Sequence, residues 1–172
     1  NHARYRAASS EPAVRAMVQA MNGTVDEGIR VAEAEGIEAD ILRTDELMVA
    51  TNPAQFARMT AEVEHRRHWG EHERVWQIGA DEARARVAIP GTLGAMIVTR
   101  VARVQPAKLV RGLAAMVERM GVRLVEGTTV TAIRKGGVST DRGEVVAPIV
   151  LRCTEGFTAT LGGLKREWLP LN

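Results

Sequence analysis

Apolar residues recur at helical spacing in three stretches of the chain and cluster in extended segments between them. From Glu11-Pro12 onward, Val14, Met17, Val18, Met21, Val25 and Ile29 share one helical face, and Gly36 ends the pattern. Asn52-Pro53 opens a second helix, with Asn52 as N-cap, Pro53 at the first position and Phe56, Met59 and Val63 on one face. Gly70 lies past its end. The clearest helix is Gln105–Met120: Pro106 starts it, Leu109, Val110, Leu113, Met116 and Val117 follow at helical spacing, and Gly121 stops it. A short helix is expected over about Asp81–Val87. Ile41–Thr51 reads as extended and can divide into two short strands around Thr44–Asp45. Arg74–Ile78 is a candidate strand, and Gly91–Val104, rich in Val, Ile and Thr, reads as a β-hairpin or two sheet strands. Helices alternating with strands give an α+β body of α/β-like character.

Composition narrows the function classes. The 172 residues suffice for one large domain or two small lobes, and 45% hydrophobic with 26% charged residues is ordinary for a globular protein. A formal charge of +2, with scattered arginines and 3% aromatics, lacks the basic stripe a nucleic-acid partner requires. The longest uncharged run, Val87–Thr99, is interrupted by Pro90, Gly91 and Gly94 and is too short to span a bilayer. The N-terminal NHARYRAASSEPAV is polar and carries no secretory signal pattern. Cys153 is the single cysteine, which fits a reducing, cytoplasmic setting. The first residue is Asn1 rather than Met, and Trp168–Asn172 reads as the start of an apolar segment. Both are expected of an internal piece of a longer protein.

The most informative segment is Gly121–Thr158, GVRLVEGTTVTAIRKGGVSTDRGEVVAPIVLRCTEGFT. It reads as a strand at Val122–Glu126, a strand at Thr129–Ile133, and a turn at Gly136-Gly137 into Val138–Thr140. A second turn at Asp141-Arg142-Gly143 leads into Glu144–Val146. A last strand, Ile149–Arg152, ends in the loop Cys153-Thr154-Glu155-Gly156. With the helix Pro106–Met120 before it, this order resembles the glycine/D-amino-acid oxidase family of FAD-dependent oxidoreductases. There, a helix, a "Gly-Val" strand, a "Thr-x-Val-x-x-Ile" strand, a β-meander and an "Ala-Thr-x-Gly" loop succeed one another. The Gly-x-Gly-x-x-Gly that opens such a domain does not occur here.

The resemblance implies a partial FAD-binding Rossmann-type lobe at 105–172 beside part of a helix-and-sheet substrate-side lobe at 1–104. It implies oxidation of a C–N bond in an amine or amino acid, with hydride passing to FAD in the parent protein. By analogy, Val130 presents its main-chain N–H and C=O to the adenine edge. Thr154 adds a hydroxyl near the ribityl or diphosphate region. Gly156 sits where the backbone approaches the cofactor closely. Glu155 lies in the same loop and suits a diphosphate neighbour only with its side chain turned away. Relatives differ at three places: Pro148 stands where an acidic residue is common, Cys153 replaces Ala, and Arg100 lies in a segment that often holds a His. No catalytic residue is assigned.

Several side chains have plainer readings. His65, His68 and His72, with Glu62 and Glu64 nearby, read as a solvated helix end, and no metal is expected. Met17, Met21, Met116 and Met120 read as core filler. Cys153 reads as a small buried residue at a strand end. Arg100 and Arg103 either face a substrate carboxylate or are surface charges, the second being favoured. A truncated sheet would leave open edges able to self-associate. The alternative from another class is a self-contained, non-enzymatic domain that binds a small ligand or a protein.

Overall fold

Gly94-Ala-Met-Ile-Val98 is an uninterrupted apolar run, and all five residues are buried. They begin a ten-residue strand, β3 (Gly94–Arg103), in the computed structural model, which describes residues 2–166. The expected hairpin over Gly91–Val104 is therefore one long strand. Its run of apolar residues reflects burial on both faces rather than two half-buried strands. The chain divides into two compact units, Asn1–Gly121 and Val122–Asn172, with β3 at the centre of the first. Trp168–Asn172 lies outside the described residues.

β3 pairs antiparallel with β1 (Leu42–Ala50) on one side and β2 (Val75–Gly79) on the other, giving the order β1-β3-β2. The register runs from Leu42 opposite Arg103 to Ala50 opposite Gly94, and from Val75 opposite Val98 to Gly79 opposite Gly94. Alternation then sorts the side chains. Met96 and Val98 join Ala50, Val75, Met59 and Val63, the last two from helix α3 (Pro53–Arg66). Ala95 and Ile97 join Ile78 and Ala83, the latter from helix α4 (Ala80–Arg86). Burying Met96, Ile97 and Val98 contributes about 1.5–3 kcal/mol each. Between Thr44 and Glu46 the register shifts by one, so Thr99 and Arg100 together oppose Asp45. The segment that reads in the sequence as two strands around Thr44–Asp45 is one strand, and the β-bulge lies opposite it on β3.

The helices keep the ends their sequences signal. Ser10 caps α2 (Glu11–Ala34), accepting the Ala13 N–H at 3.3 Å, and Asn52 caps α3, accepting the Gln55 N–H at 2.9 Å. At the end of α2 the Ile37 N–H reaches the Ala32 carbonyl and the Gly36 N–H that of Glu33, the paired bonds of a Schellman cap. α3 continues into one wide turn at Arg67–Glu71, broken where Gly70 adopts φ 102°, a conformation that favours glycine. That turn buries Trp69 against Val14 and Val18 of α2. It also buries Glu71, which receives two hydrogen bonds from Arg66 (2.8 and 2.9 Å) and one from Asn22 of α2 (3.3 Å). A short helix not expected from the polar N-terminus, α1 (His2–Ala8), precedes α2 and buries no residue. Helix α5 (Pro106–Arg119) lays Leu109 and Met116 against Ala32, Ile37 and Ala39, so its packing belongs to the first unit. Val110 and Leu113 of this helix stay open, at 65% and 38% exposure.

In the second unit β4 (Val130–Arg134), β5 (Gly137–Thr140) and β6 (Gly143–Val146) form an antiparallel meander, as expected. The expected strands Val122–Glu126 and Ile149–Arg152 are not strands. A strand needs a ladder partner, and no strand among the described residues pairs with either. Leu124, Val125, Ile149 and Leu151 are correspondingly exposed. A 3₁₀ turn at Glu155–Thr160 follows instead.

Two outcomes are expected. A Cβ at Gly94 would lie 2.8 Å from both the Ile78 carbonyl oxygen and Phe56 Cε2. Gly94→Ala should therefore cost about 1–3 kcal/mol, read as a lower urea midpoint at unchanged slope. The Arg66 hydrogen bonds hold the Glu71 carboxyl below its ordinary value against the opposing effect of burial; the Arg66 charge and Asn22 add to the lowering. A lowered folded value means Glu71 contributes its full stability above the ordinary carboxylate range, about 4.3, and loses it as pH falls through the lower folded value. Glu71→Gln should cost about 2 kcal/mol at pH 7 and flatten that acid limb in denaturation curves taken from pH 6 downward.

Candidate functional site

β4 lies at an edge of the meander, and this places Val130. Thr129 accepts the Asp141 main-chain N–H on its carbonyl at 3.0 Å and donates its own N–H to the Asp141 carboxylate at 2.9 Å. Val130, opposite Thr140, follows directly. Antiparallel alternation turns successive residues' main-chain groups to opposite sides of a strand. The N–H and C=O of Val130 therefore face the edge away from β5, while its side chain is half-buried. One donor and one acceptor held side by side on a rigid strand match the donor-acceptor edge of an adenine. The register shift just past Val130, between it and Ala132, bends this edge locally.

The other three candidates lie together at the start of the 3₁₀ turn, and their polar groups are engaged within the chain. Thr154 Oγ1 hydrogen-bonds Thr158 Oγ1 at 2.7 Å, and Thr158 is buried. Glu155 accepts the Gly156 N–H on its carboxylate and carries a left-handed backbone, φ 41°. The strained conformation thus falls on Glu155, whereas Gly156 has no positive φ. Cys153, expected to be buried, is exposed. The extended run that would have covered it has no partner strand. Of the four candidates, Val130 thus turns its main-chain groups outward, whereas polar groups of Thr154 and Glu155 already have partners within the chain.

In the first unit, His65 Nε2 lies 2.9 Å from His2 Nδ1 with the rings stacked, and His68 meets Trp69 edge-on. Among the described residues no group of three or more His, Cys, Asp or Glu is placed to hold a metal ion. Arg100 and Arg103 are both exposed, on β3. A cavity of about 400 Å³ between α2, the end of β3 and α5 is lined chiefly by apolar side chains, Ile29, Ile37 and Leu109 among them, and offers little to orient a polar substrate. No helix among the described residues is long and apolar enough to cross a membrane.

Known proteins place this arrangement. The family model described as FAD dependent oxidoreductase matches residues 2–171. The chain belongs to that family. Among solved structures, it is similar to a glycine oxidase from Geobacillus kaustophilus, with TM-score 0.67 and 23% identity, over 87% of this chain and 40% of that one. It is similar also to an L-proline dehydrogenase from P. horikoshii, with TM-score 0.68 and 19% identity, over 82% and 39% of the two chains. A third is an L-amino acid deaminase from Proteus myxofaciens in complex with anthranilate, at TM-score 0.64 and 16% identity, over 81% and 33%. At these identities the likeness is one of fold. No curated protein matches the sequence. The chain spans two fifths or less of the length of these structures. Membership in this FAD-dependent family agrees with the motif order of Gly121–Thr158 and with the mixed helix-and-sheet body.

The edge geometry has a direct readout. In hydrogen exchange the Val130 amide should exchange at close to the rate of an exposed amide. The Asp141 amide, bonded to Thr129, should be protected, and equal protection of the two would contradict the orientation derived for Val130.

Proposed function

We propose that this chain is an internal part of an FAD-dependent oxidoreductase that oxidises a C–N bond of an amine or amino acid. The match of the FAD dependent oxidoreductase family across residues 2–171 carries the reading. The names of the similar structures, a glycine oxidase, a proline dehydrogenase and an amino acid deaminase, favour a small amine or amino-acid substrate. FAD, when bound, supplies the acceptor for the hydride that leaves the substrate carbon. The imine left behind hydrolyses in water.

The part played by these residues is to hold and orient. Val130 presents its edge N–H and C=O to the adenine, a contact that depends on the strand rather than on the side chain. Thr154, Glu155 and Gly156 form the loop along which the cofactor passes. The Thr154–Thr158 bond and the Glu155 contact to Gly156 fix that loop's shape. Residues 1–104 supply part of the substrate-side lobe and residues 105–172 part of the FAD-binding lobe. No side chain of this chain is given a catalytic role. The reading includes a cytoplasmic location, supported by the single cysteine. It also includes self-association of the isolated chain, supported by the exposed Val146, Ile149, Leu151 and Phe157.

The test is the intact mass and visible spectrum of the native, uncut gene product. A mass well above 18.7 kDa with flavin absorption bands is expected. A colourless protein of this chain's mass would sink the reading. The 172-residue chain alone, given FAD and an amino-acid panel, should show no peroxide formation or dye reduction.

A further inference from the structure

The β-bulge in β3 has a feature that the flavin reading leaves unused. Thr99 and Arg100 share one opposing residue, Asp45, and Arg100 takes φ 58°, a left-handed backbone unusual for a residue with a side chain. Bulges re-aim side chains, and a non-glycine residue held in this region points to a local demand on its position. Arg100 lines a polar hollow of about 280 Å³ in the first unit, together with Asn22, Asp26, Glu73 and Arg74. Arg74 enters from the start of β2 and donates through Nη2 to the Arg100 carbonyl at 3.1 Å, tying its guanidinium to the bulge. Its Nε is buried and has no hydrogen-bond partner, although buried donors are ordinarily satisfied.

The charges in the hollow do not cancel by pairing. Asp26 is committed to Arg43 at 2.5 Å. The Arg43 hydrogen bond, with the charges of Arg43, Arg74 and Arg100, holds the Asp26 carboxyl below its ordinary value, so these cations share one field. Neither Arg74 nor Arg100 forms an ion pair among the described residues, and Glu73 forms none either. Two guanidinium groups, one fixed through its bond to the bulge and one mounted on it, thus face a water-accessible hollow that holds a single uncommitted carboxylate.

We propose that Arg74 and Arg100 form a binding site for a small carboxylate, set up by the bulge at Thr99–Arg100. A carboxylate accepts paired N–H bonds from guanidinium groups. Glu73 stands at the same hollow to meet an ammonium group if the ligand is zwitterionic. The site stands apart from the flavin reading, since it uses residues of the first unit only and its test is binding rather than turnover.

The experiment follows the arginine Nε–Hε signals of the full chain by ¹H–¹⁵N NMR during titration with sodium acetate or with glycine. Sodium chloride at matched ionic strength is the control. Saturable shifts of Arg74 and Arg100 with acetate or glycine, absent with chloride, are expected. Tighter binding of glycine than acetate assigns the ammonium to Glu73, and equal binding assigns recognition to the carboxylate alone. Arg100→Gly and Arg100→Asn both tolerate the left-handed backbone and remove the guanidinium. Each should keep or raise the melting temperature while weakening acetate binding about tenfold or more. Shifts with chloride equal to those with acetate, or unchanged affinity in a folded Arg100 variant, would overturn the proposal.

Discussion

Burial of β3 on both faces is the constraint on which the first unit depends. A strand covered on one side alternates apolar with polar residues, but Gly94–Val98 cannot alternate because α3 covers one face and α4 the other. Every element around it answers to that requirement. Gly94 lets the Ile78 carbonyl and the Phe56 ring close in. Ala83 and Ala95 allow α4 to approach the sheet. Met59 and Val63 fill the opposite side. The wide turn at Gly70 then returns the chain from α3 toward β2, carrying Trp69 and Glu71 onto α2 and so tying that long helix to the sheet layer.

Helices α2 to α5 were legible because their signals are local. The cap at Asn52, prolines at the first turn and apolar spacing all concern residues within a turn or two of one another. The meander was legible for the same reason, its turns falling at Gly136-Gly137 and Asp141–Gly143. Strands that depend on distant partners were not. An apolar run such as 94–98 is compatible with a hairpin or with one buried strand, and only the pairing with β1 and β2 decides. Val122–Glu126 and Ile149–Arg152 have the composition of strands without a partner strand among the described residues. Composition supplies propensity, and the ladder supplies the structure.

The candidate site divides along a similar line. Motif order pointed to Val130, and the edge position of β4 turns its main-chain groups away from β5. The internal bonds of Thr154 and Glu155 could not be read from the sequence, since a threonine four residues before another need not meet it. The cluster around Arg100 was equally hidden. Arg74 and Arg100 are 26 positions apart, and nothing in either neighbourhood signals the bulge that brings the Arg100 carbonyl to the Arg74 guanidinium. The Arg–Asp pairing of Arg43 with Asp26, which frees the other two cations, is likewise a product of tertiary placement.

The sheet order β1-β3-β2 also sets a timetable for synthesis. The two outer strands leave the ribosome first, and the strand that belongs between them comes last, after Val87–Leu93. Until Gly94–Arg103 emerges, β1 and β2 have no common partner, and the apolar faces of α3 and α4 have nothing to close on. A nascent chain paused at that stage presents two unpaired strand edges flanking an empty slot, the state most open to capture by a chaperone or by another nascent chain. Insertion of a single strand therefore converts an open, adhesive assembly into a closed layer in one late event.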